Sequence, residues 1–271
     1  MTLVSTDWLN KNLDKVKIVD ASWHLVKNRN AIKEYNKEHI KNAIFFDLEK
    51  NSNQKKNLPH NHFLPEINDW EKIVSKMGIV NNDFIVFYDN SDLISSCRCW
   101  FQFLYFGHDP KLLFILDGGL KKWKIENRKL TNVKTEVKQS KYFAKENTYM
   151  IKNKSQIIEN INKKKFKLLD ARNKDRFDGK AKEPRPGVRS GSIEGSICLP
   201  YSECINPKDN TFLSKKILMQ KFQSIGITGD NVVFTCGSSV TASVLGVAYS
   251  LINNNYMPNI YIGSWSEYGK E

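Results

Sequence analysis

The chain has no apolar run long enough to cross a bilayer. Its longest strongly apolar stretch, Leu112-Leu113-Phe114-Ile115-Leu116, falls far short of the roughly 18 residues required. The opening Met1-Thr2-Leu3-Val4-Ser5-Thr6-Asp7-Trp8 has neither a basic region nor an apolar signal core. A cytoplasmic protein without a membrane partner is therefore expected. Cysteine is also scarce. Cys97, Cys99, Cys198, Cys204 and Cys236 are odd in number and irregular in spacing, which speaks against a disulfide framework. Neither the 97/99 pair nor the 198/204 pair has the spacing of a zinc site, so no metal is expected. Histidine is missing from the second half. All five, His24, His39, His60, His62 and His108, lie in the first. Any imidazole that serves chemistry in the second half must be supplied by the first.

The 271 residues that are present suffice for about two domains, each with its own core. A hydrophobic fraction of 40% with 26% charged residues is that of an ordinary folded protein. It excludes a fully disordered chain, a coiled coil and a small disulfide scaffold. The net charge of +13 raises the question of a nucleic-acid partner. The lysines are scattered along the whole length, however, and the densest run is only Lys163-Lys164-Lys165. No aromatic-basic alternation of the single-strand-binding kind accompanies them. The excess is read as a lysine-rich surface that attracts small anionic substrates, with no nucleic acid as partner.

The sequence repeats itself. Lys17-Ile18-Val19-Asp20-Ala21 resembles Lys167-Leu168-Leu169-Asp170-Ala171, His39-Ile40-Lys41-Asn42-Ala43 resembles Ser192-Ile193-Glu194-Gly195-Ser196, and Met77-Gly78-Ile79 resembles Ile225-Gly226-Ile227. Phe84-Ile85-Val86-Phe87-Tyr88-Asp89 matches Asn231-Val232-Val233-Phe234-Thr235-Cys236, and a late Asp117-Gly118-Gly119 matches Ile262-Gly263-Ser264. Matches in one order at nearly one offset imply two copies of one domain, at 1–130 and 150–271. The polar, lysine-rich stretch 131–149 reads as a linker. Strands are expected at Ile18-Val19, Phe84–Tyr88 and Leu112–Leu116, then at Leu168-Leu169, Val232–Thr235 and Asn259–Ile262. Helices are expected at Trp70–Met77, Cys99–Phe106 and Val240–Ile252. Short buried strands alternating with helices predict an α/β fold, with a mostly parallel sheet flanked by helices in each half.

The sharpest stretch runs from Val232 to Ser243. An apolar strand ends at Cys236, a tight loop Gly237-Ser238-Ser239 follows, and a helix opens at Val240. Ligands bind at the carboxyl ends of strands in such sheets. Small loop residues let N–H groups converge, and the helix adds its positive end. A cysteine placed there is expected to be a reactive thiolate. The first half carries Asp89 at the same position and so has no nucleophile. The other four cysteines read as structural. A second cluster, Asp170-Ala171-Arg172…Arg176-Phe177…Glu183-Pro184-Arg185-Pro186-Gly187-Val188-Arg189-Ser190-Gly191, is a shaped loop rich in arginine forks suited to carboxylates.

These motifs, in this order, resemble the tandem-domain sulfurtransferases of the rhodanese superfamily. The resemblance spans essentially the whole chain, including Phe45-Phe46-Asp47 and Asp117-Gly118-Gly119. It implies two tandem rhodanese-like domains, the first without a nucleophile. In this family an arginine and a lysine after the cysteine mark the thiosulfate group, and Cys-Gly-Ser-Gly-Val-Thr marks the 3-mercaptopyruvate group. Cys236-Gly237-Ser238-Ser239-Val240-Thr241 resembles the second. The resemblance then implies that Cys236 takes sulfur from 3-mercaptopyruvate as a persulfide and passes it to a thiol, such as a thioredoxin, or to cyanide. Gly237, Ser239, Val240 and Thr241 would line the substrate loop. Arg176 and Arg185 would hold the carboxylate and keto oxygen. Ser238 would act with His62 and an acid at Glu49. No cofactor is implied.

The chain departs from the family pattern at Glu49, where an aspartate is usual, with Asp47 nearby and a two-residue insertion before His62, and at four further points. Ser239 replaces the loop glycine, Ser192 a histidine, Glu194 a proline, and Ile262 an aspartate. Thiosulfate as donor and a non-catalytic binding module remain the alternatives. A cysteine-dependent phosphatase would need an arginine where the chain has Ala242.

Overall fold

The computed structural model describes residues 2–26, 28–229, 231–253 and 256–270. Met1 and Glu271, the outer bounds of the two expected halves, lie outside them. The chain divides into two compact units. The first comprises Met1–Gln54, Leu64–Asn147 and Pro207–Thr211, and the second comprises Lys55–Phe63, Thr148–Asn206 and Phe212–Glu271.

In the first unit, strands β1 (Leu3–Val4), β2 (Lys17–Asp20), β3 (Ala43–Phe45), β4 (Ile85–Tyr88) and β5 (Leu113–Leu116) alternate with five helices. These are α1 (Thr6–Asn12), α2 (Ala31–Lys37), α3 (Ile67–Lys76), α4 (Ser96–Tyr105) and α5 (Gly119–Ile125). The sheet order is β1-β5-β4-β2-β3, and every pairing is parallel. Parallel ladders need helical crossovers on both faces, so their strands are apolar without alternation. All four residues of β4, Ile85-Val86-Phe87-Tyr88, are buried accordingly. Asn30 accepts from the Lys33 N–H and so caps α2, a favoured use of a short polar side chain. Every residue of α4 is buried, which is why Cys97 and Cys99 are core residues.

The second unit repeats the plan with β6 (Ile151–Lys152), β7 (Lys167–Asp170), β8 (Ile197–Cys198), β9 (Val232–Thr235) and β10 (Ile260–Tyr261). Its helices are α6 (Lys154–Lys163), α7 (Lys174–Phe177), α8 (Lys215–Ser224), α9 (Val240–Ile252) and α10 (Ser264–Tyr268). The order β6-β10-β9-β7-β8 is that of the first sheet shifted by five strands, again wholly parallel. The helix expected over Val240–Ile252 has those bounds, while α3 and α4 each begin three residues earlier than their apolar periods suggested. Among the described residues no helix is long and apolar enough to cross a membrane.

Besides Pro207–Thr211, a short second-half stretch that is part of the first unit, two longer segments depart from a simple division into halves. Thr131–Asn147, expected to be part of the linker, lies along the first unit. Thr131 bridges His39, Ser140 and Tyr142 donate their N–H groups to Ser75, and Tyr142 is 2% exposed. A buried tyrosine and satisfied backbone groups hold the strap down, although its composition is polar. The reverse holds for Lys55–Phe63, which belongs by sequence to the first half but is part of the second unit.

Candidate active site

Cys236 directly follows β9, the strand flanked by β7 and β10, and is 2% exposed. Its loop is short because α9 begins at Val240, four residues on. The turn is made by Ser239, whose φ of +63° lies in the left-handed region, where side chains are normally disfavoured. Three hydrogen bonds hold it there. Its N–H donates to Ser264 Oγ at 3.0 Å, its Oγ donates to the Ser238 carbonyl at 2.7 Å, and its carbonyl accepts from Ser243 Oγ at 3.0 Å.

The stretch 262–266 acts as a clamp on this loop. Trp265 N–H donates to the Cys236 carbonyl at 2.8 Å, and Ser266 donates to the Gly237 carbonyl through its N–H and its Oγ. With the Cys236 and Gly237 carbonyls engaged there, and the Ser239 N–H held by Ser264, the positive end of the thirteen-residue α9 faces the loop and favours an anion there.

Two guanidiniums sit over the loop. A Cβ placed on Gly237 would stand 3.0 Å from Arg176 Nη2 and 3.6 Å from Arg185 Nη1, so glycine is what lets the arginines approach. Arg176 follows Asn173, which caps α7 by accepting from the Arg176 N–H at 3.0 Å. Its guanidinium is gripped by Glu183, with Nη2 donating to Oε2 at 2.6 Å and Nε to Oε1 at 3.1 Å. Glu183 also takes Arg172 Nη1 at 2.9 Å. Arg172 in turn packs over the Trp265 ring and bonds Asp170 at the end of β7.

The segment 55–63 brings an imidazole to the same loop. His62 Nδ1 lies 3.2 Å from Ser238 Oγ, and His62 is 1% exposed. Glu49 belongs to the first unit, where its Oε1 accepts from Trp23 Nε1 at 2.9 Å. Val240 and Thr241 form the first turn of α9. The remaining cysteines are held as thiols by burial. It pushes Cys198 up to about 11 and Cys204 up to about 12, with Cys97 and Cys99 driven well above the usual thiol value. Among the described residues no cluster of three or more His, Cys, Asp or Glu could hold a metal ion.

The profile of the rhodanese-like domain matches residues 5–126 and again 153–271. The chain belongs to the rhodanese-like family. It is 34% identical to thiosulfate/3-mercaptopyruvate sulfurtransferase 1, mitochondrial, of Arabidopsis thaliana, over 99% of this chain and 76% of that protein. It is 32% identical to 3-mercaptopyruvate sulfurtransferase of Mus musculus, over 98% and 91% of the two chains. The crystal structure of SseA from Escherichia coli, described as a 3-mercaptopyruvate sulfotransferase, superposes with a TM-score of 0.86 at 27% identity, covering 98% of this chain and 99% of that one.

The two rhodanese-like domains differ where the repeat predicted. Leu120 N–H anchors the Asp89 carbonyl at 3.0 Å, just as Trp265 N–H anchors that of Cys236. Asp89 turns its own carboxylate onto the loop, Oδ2 accepting from Ser91 N–H at 3.0 Å and Oδ1 from Ser96 N–H at 3.2 Å. The first rhodanese-like domain thus fills its anion cradle with a side chain. Sequence reasoning missed three participants in the second domain: Glu183, His60 and the clamp 262–266. Glu183 had a signal, as a carboxylate two residues before Arg185 in the arginine-rich loop. His60 had only its place two residues before His62.

Proposed function

We propose that the protein transfers sulfur from 3-mercaptopyruvate through a persulfide on Cys236 to a thiol acceptor, such as a thioredoxin, or to cyanide, releasing pyruvate. The observation that carries this reading is the approach of Arg176 and Arg185 to Gly237, beside a strand-end cysteine. Two forks at that distance suit a carboxylate and the adjacent keto oxygen. The substrate sulfur is then left facing Cys236.

The Cys236 sulfur attacks the sulfur of 3-mercaptopyruvate. The carbon–sulfur bond breaks, and its electron pair passes into the enolate of pyruvate, which takes a proton. Ser238 and His62 form the hydrogen-bonded pair that carries this proton. The N–H groups of Gly237, Ser238, Val240 and Thr241 and the positive end of α9 stabilise the anionic persulfide. An acceptor thiolate then attacks the outer sulfur and restores the Cys236 thiolate. A dithiol acceptor releases sulfide, and cyanide yields thiocyanate. Glu49 is assigned as the acid that completes the relay, to be tested by Glu49→Gln.

The test is a paired assay of the wild type and Cys236→Ser, with 3-mercaptopyruvate or thiosulfate as donor and a dithiol or cyanide as acceptor. Pyruvate release that depends on Cys236 and exceeds turnover of thiosulfate is expected. The loop Gly237-Ser238-Ser239-Val240-Thr241 has no cation for a dianionic donor. Preference for thiosulfate would overturn the donor assignment but keep the nucleophile. Turnover of neither donor by folded protein would turn the reading to a binding module.

A further inference from the structure

The segment 55–63 contains no helix or strand, so its shape depends on individual contacts. His60, 4% exposed, uses both of its ring nitrogens there. Nδ1 lies 3.0 Å from the backbone nitrogen of His62, a group that can only donate. Nδ1 is therefore an unprotonated acceptor, and Nε2 carries the ring proton. Nε2 stands 2.9 Å from the Ile262 carbonyl, which can only accept. One neutral tautomer satisfies both bonds. The ring also packs on Phe63, with centroids 4.6 Å apart.

Ile262 opens the stretch that clamps the cysteine loop. Two residues on, Ser264 Oγ accepts from Ser239 N–H, and Trp265 N–H holds the Cys236 carbonyl. His60 thus ties the backbone of His62 to the stretch that fixes Cys236 and Ser239. The side chain of Ile262 has no part in this, so the bond survives at a position where the family carries an aspartate. The His62–Ser238 contact of 3.2 Å is near the long end of hydrogen bonding, and a shift of less than 1 Å would break it.

We propose that His60 is a positioning residue, which sets the register of His62 against Ser238 through its bonds to the His62 N–H and the Ile262 carbonyl. This rests on the reading of Ser238 and His62 as the proton-carrying pair.

The test uses His60→Phe, which keeps a ring against Phe63 and removes both bonds. Its kcat and KM for the sulfur donor are measured with His62 present and in a His62→Ala background, and the imidazole 15N signals of His62 are recorded with and without the substitution. With His62 present, kcat is expected to fall about tenfold or more, with KM changed by less than about threefold. In the His62→Ala background the same substitution should change kcat by less than about twofold. The His62 ring signals should shift. Equal loss of kcat in both backgrounds, or unmoved His62 signals, overturns the proposal. If His62→Ala leaves kcat intact while the His62 signals do move, the positioning role stands and the proton-carrying reading of His62 fails. Should His60→Phe not fold, His60→Gln retains one donor and one acceptor of similar reach. It should keep most of kcat, and a tenfold loss there likewise overturns the proposal.

Discussion

Glu183 grips Arg176 at two points, 2.6 and 3.1 Å, and this grip aims the guanidinium at the cysteine loop. The Glu183 side chain is 2% exposed and also bonds Arg172, which bonds Asp170. A chain of two carboxylates and two guanidiniums therefore runs from the end of β7 to Gly237. The charges compensate one another within the fold, and one nitrogen of Arg176 is turned toward the loop. Such a pair is costly to break, because a charge is left buried without its partner.

Glu183→Gln should raise KM for 3-mercaptopyruvate about tenfold or more, since a charge-assisted bond of this type is worth about 1.5–3 kcal/mol. Glu183→Ala should in addition lower the melting temperature, reflecting a cost of about 3–5 kcal/mol. Steady-state kinetics and thermal melts on the two variants decide this. An unchanged KM in both would show that Arg176 needs no help to reach its place.

Ser239 makes a different prediction. A left-handed conformation costs an L-residue about 1–2 kcal/mol relative to glycine. Ser239→Gly relieves that cost but loses the Oγ bond to the Ser238 carbonyl, worth about 1 kcal/mol. The net change in unfolding free energy should lie within about 1 kcal/mol of zero. Ser239→Val loses the same bond and adds β-branching at positive φ, so it should destabilise by more than about 2 kcal/mol. Urea unfolding of both variants distinguishes them, and equal stability would contradict the strain at this turn.

Asp20, the first-unit counterpart of Asp170, faces Ser22 where Asp170 faces Arg172. Burial pushes its carboxyl up to about 6 from 3.8, and Asp89 adds to the rise. An acid with a raised folded value binds more protons folded than unfolded between the two values. Its contribution to stability is full below about pH 4 and is lost as pH rises through about 6. The loss amounts to about 3 kcal/mol by pH 7. Asp20→Asn should remove that decline, so its urea stability should vary less than that of the wild type between pH 4 and 7. Parallel pH profiles would refute the assignment.

The duplicated plan, the strand-end Cys236 and the arginines of the 172–191 loop were legible in the sequence because each is written locally. A continuous apolar strand, a loop of small residues and an apolar helix occupy consecutive positions from Val232 to Ile252, and the repeat copies them at a nearly constant offset. The positive φ at Ser239 was foreshadowed by the glycine the family places there. The strap 131–147 misled because its composition is polar, while what holds it is one buried tyrosine and backbone bonds to Ser75, Tyr105 and Phe106.

The sequence by itself therefore determined the architecture, the strand-end place of Cys236 and the charge expected around it. Only the tertiary structure decided which first-half histidine arm belongs to the second unit, and by what bonds. His62 meets Ser238 across 176 residues of chain, and His60 meets Ile262 across 202. Contacts so distant leave no period or spacing in the sequence. They depend on the order in which two sheets fold the chain, and a backbone carbonyl such as that of Ile262 accepts a hydrogen bond whatever side chain it carries.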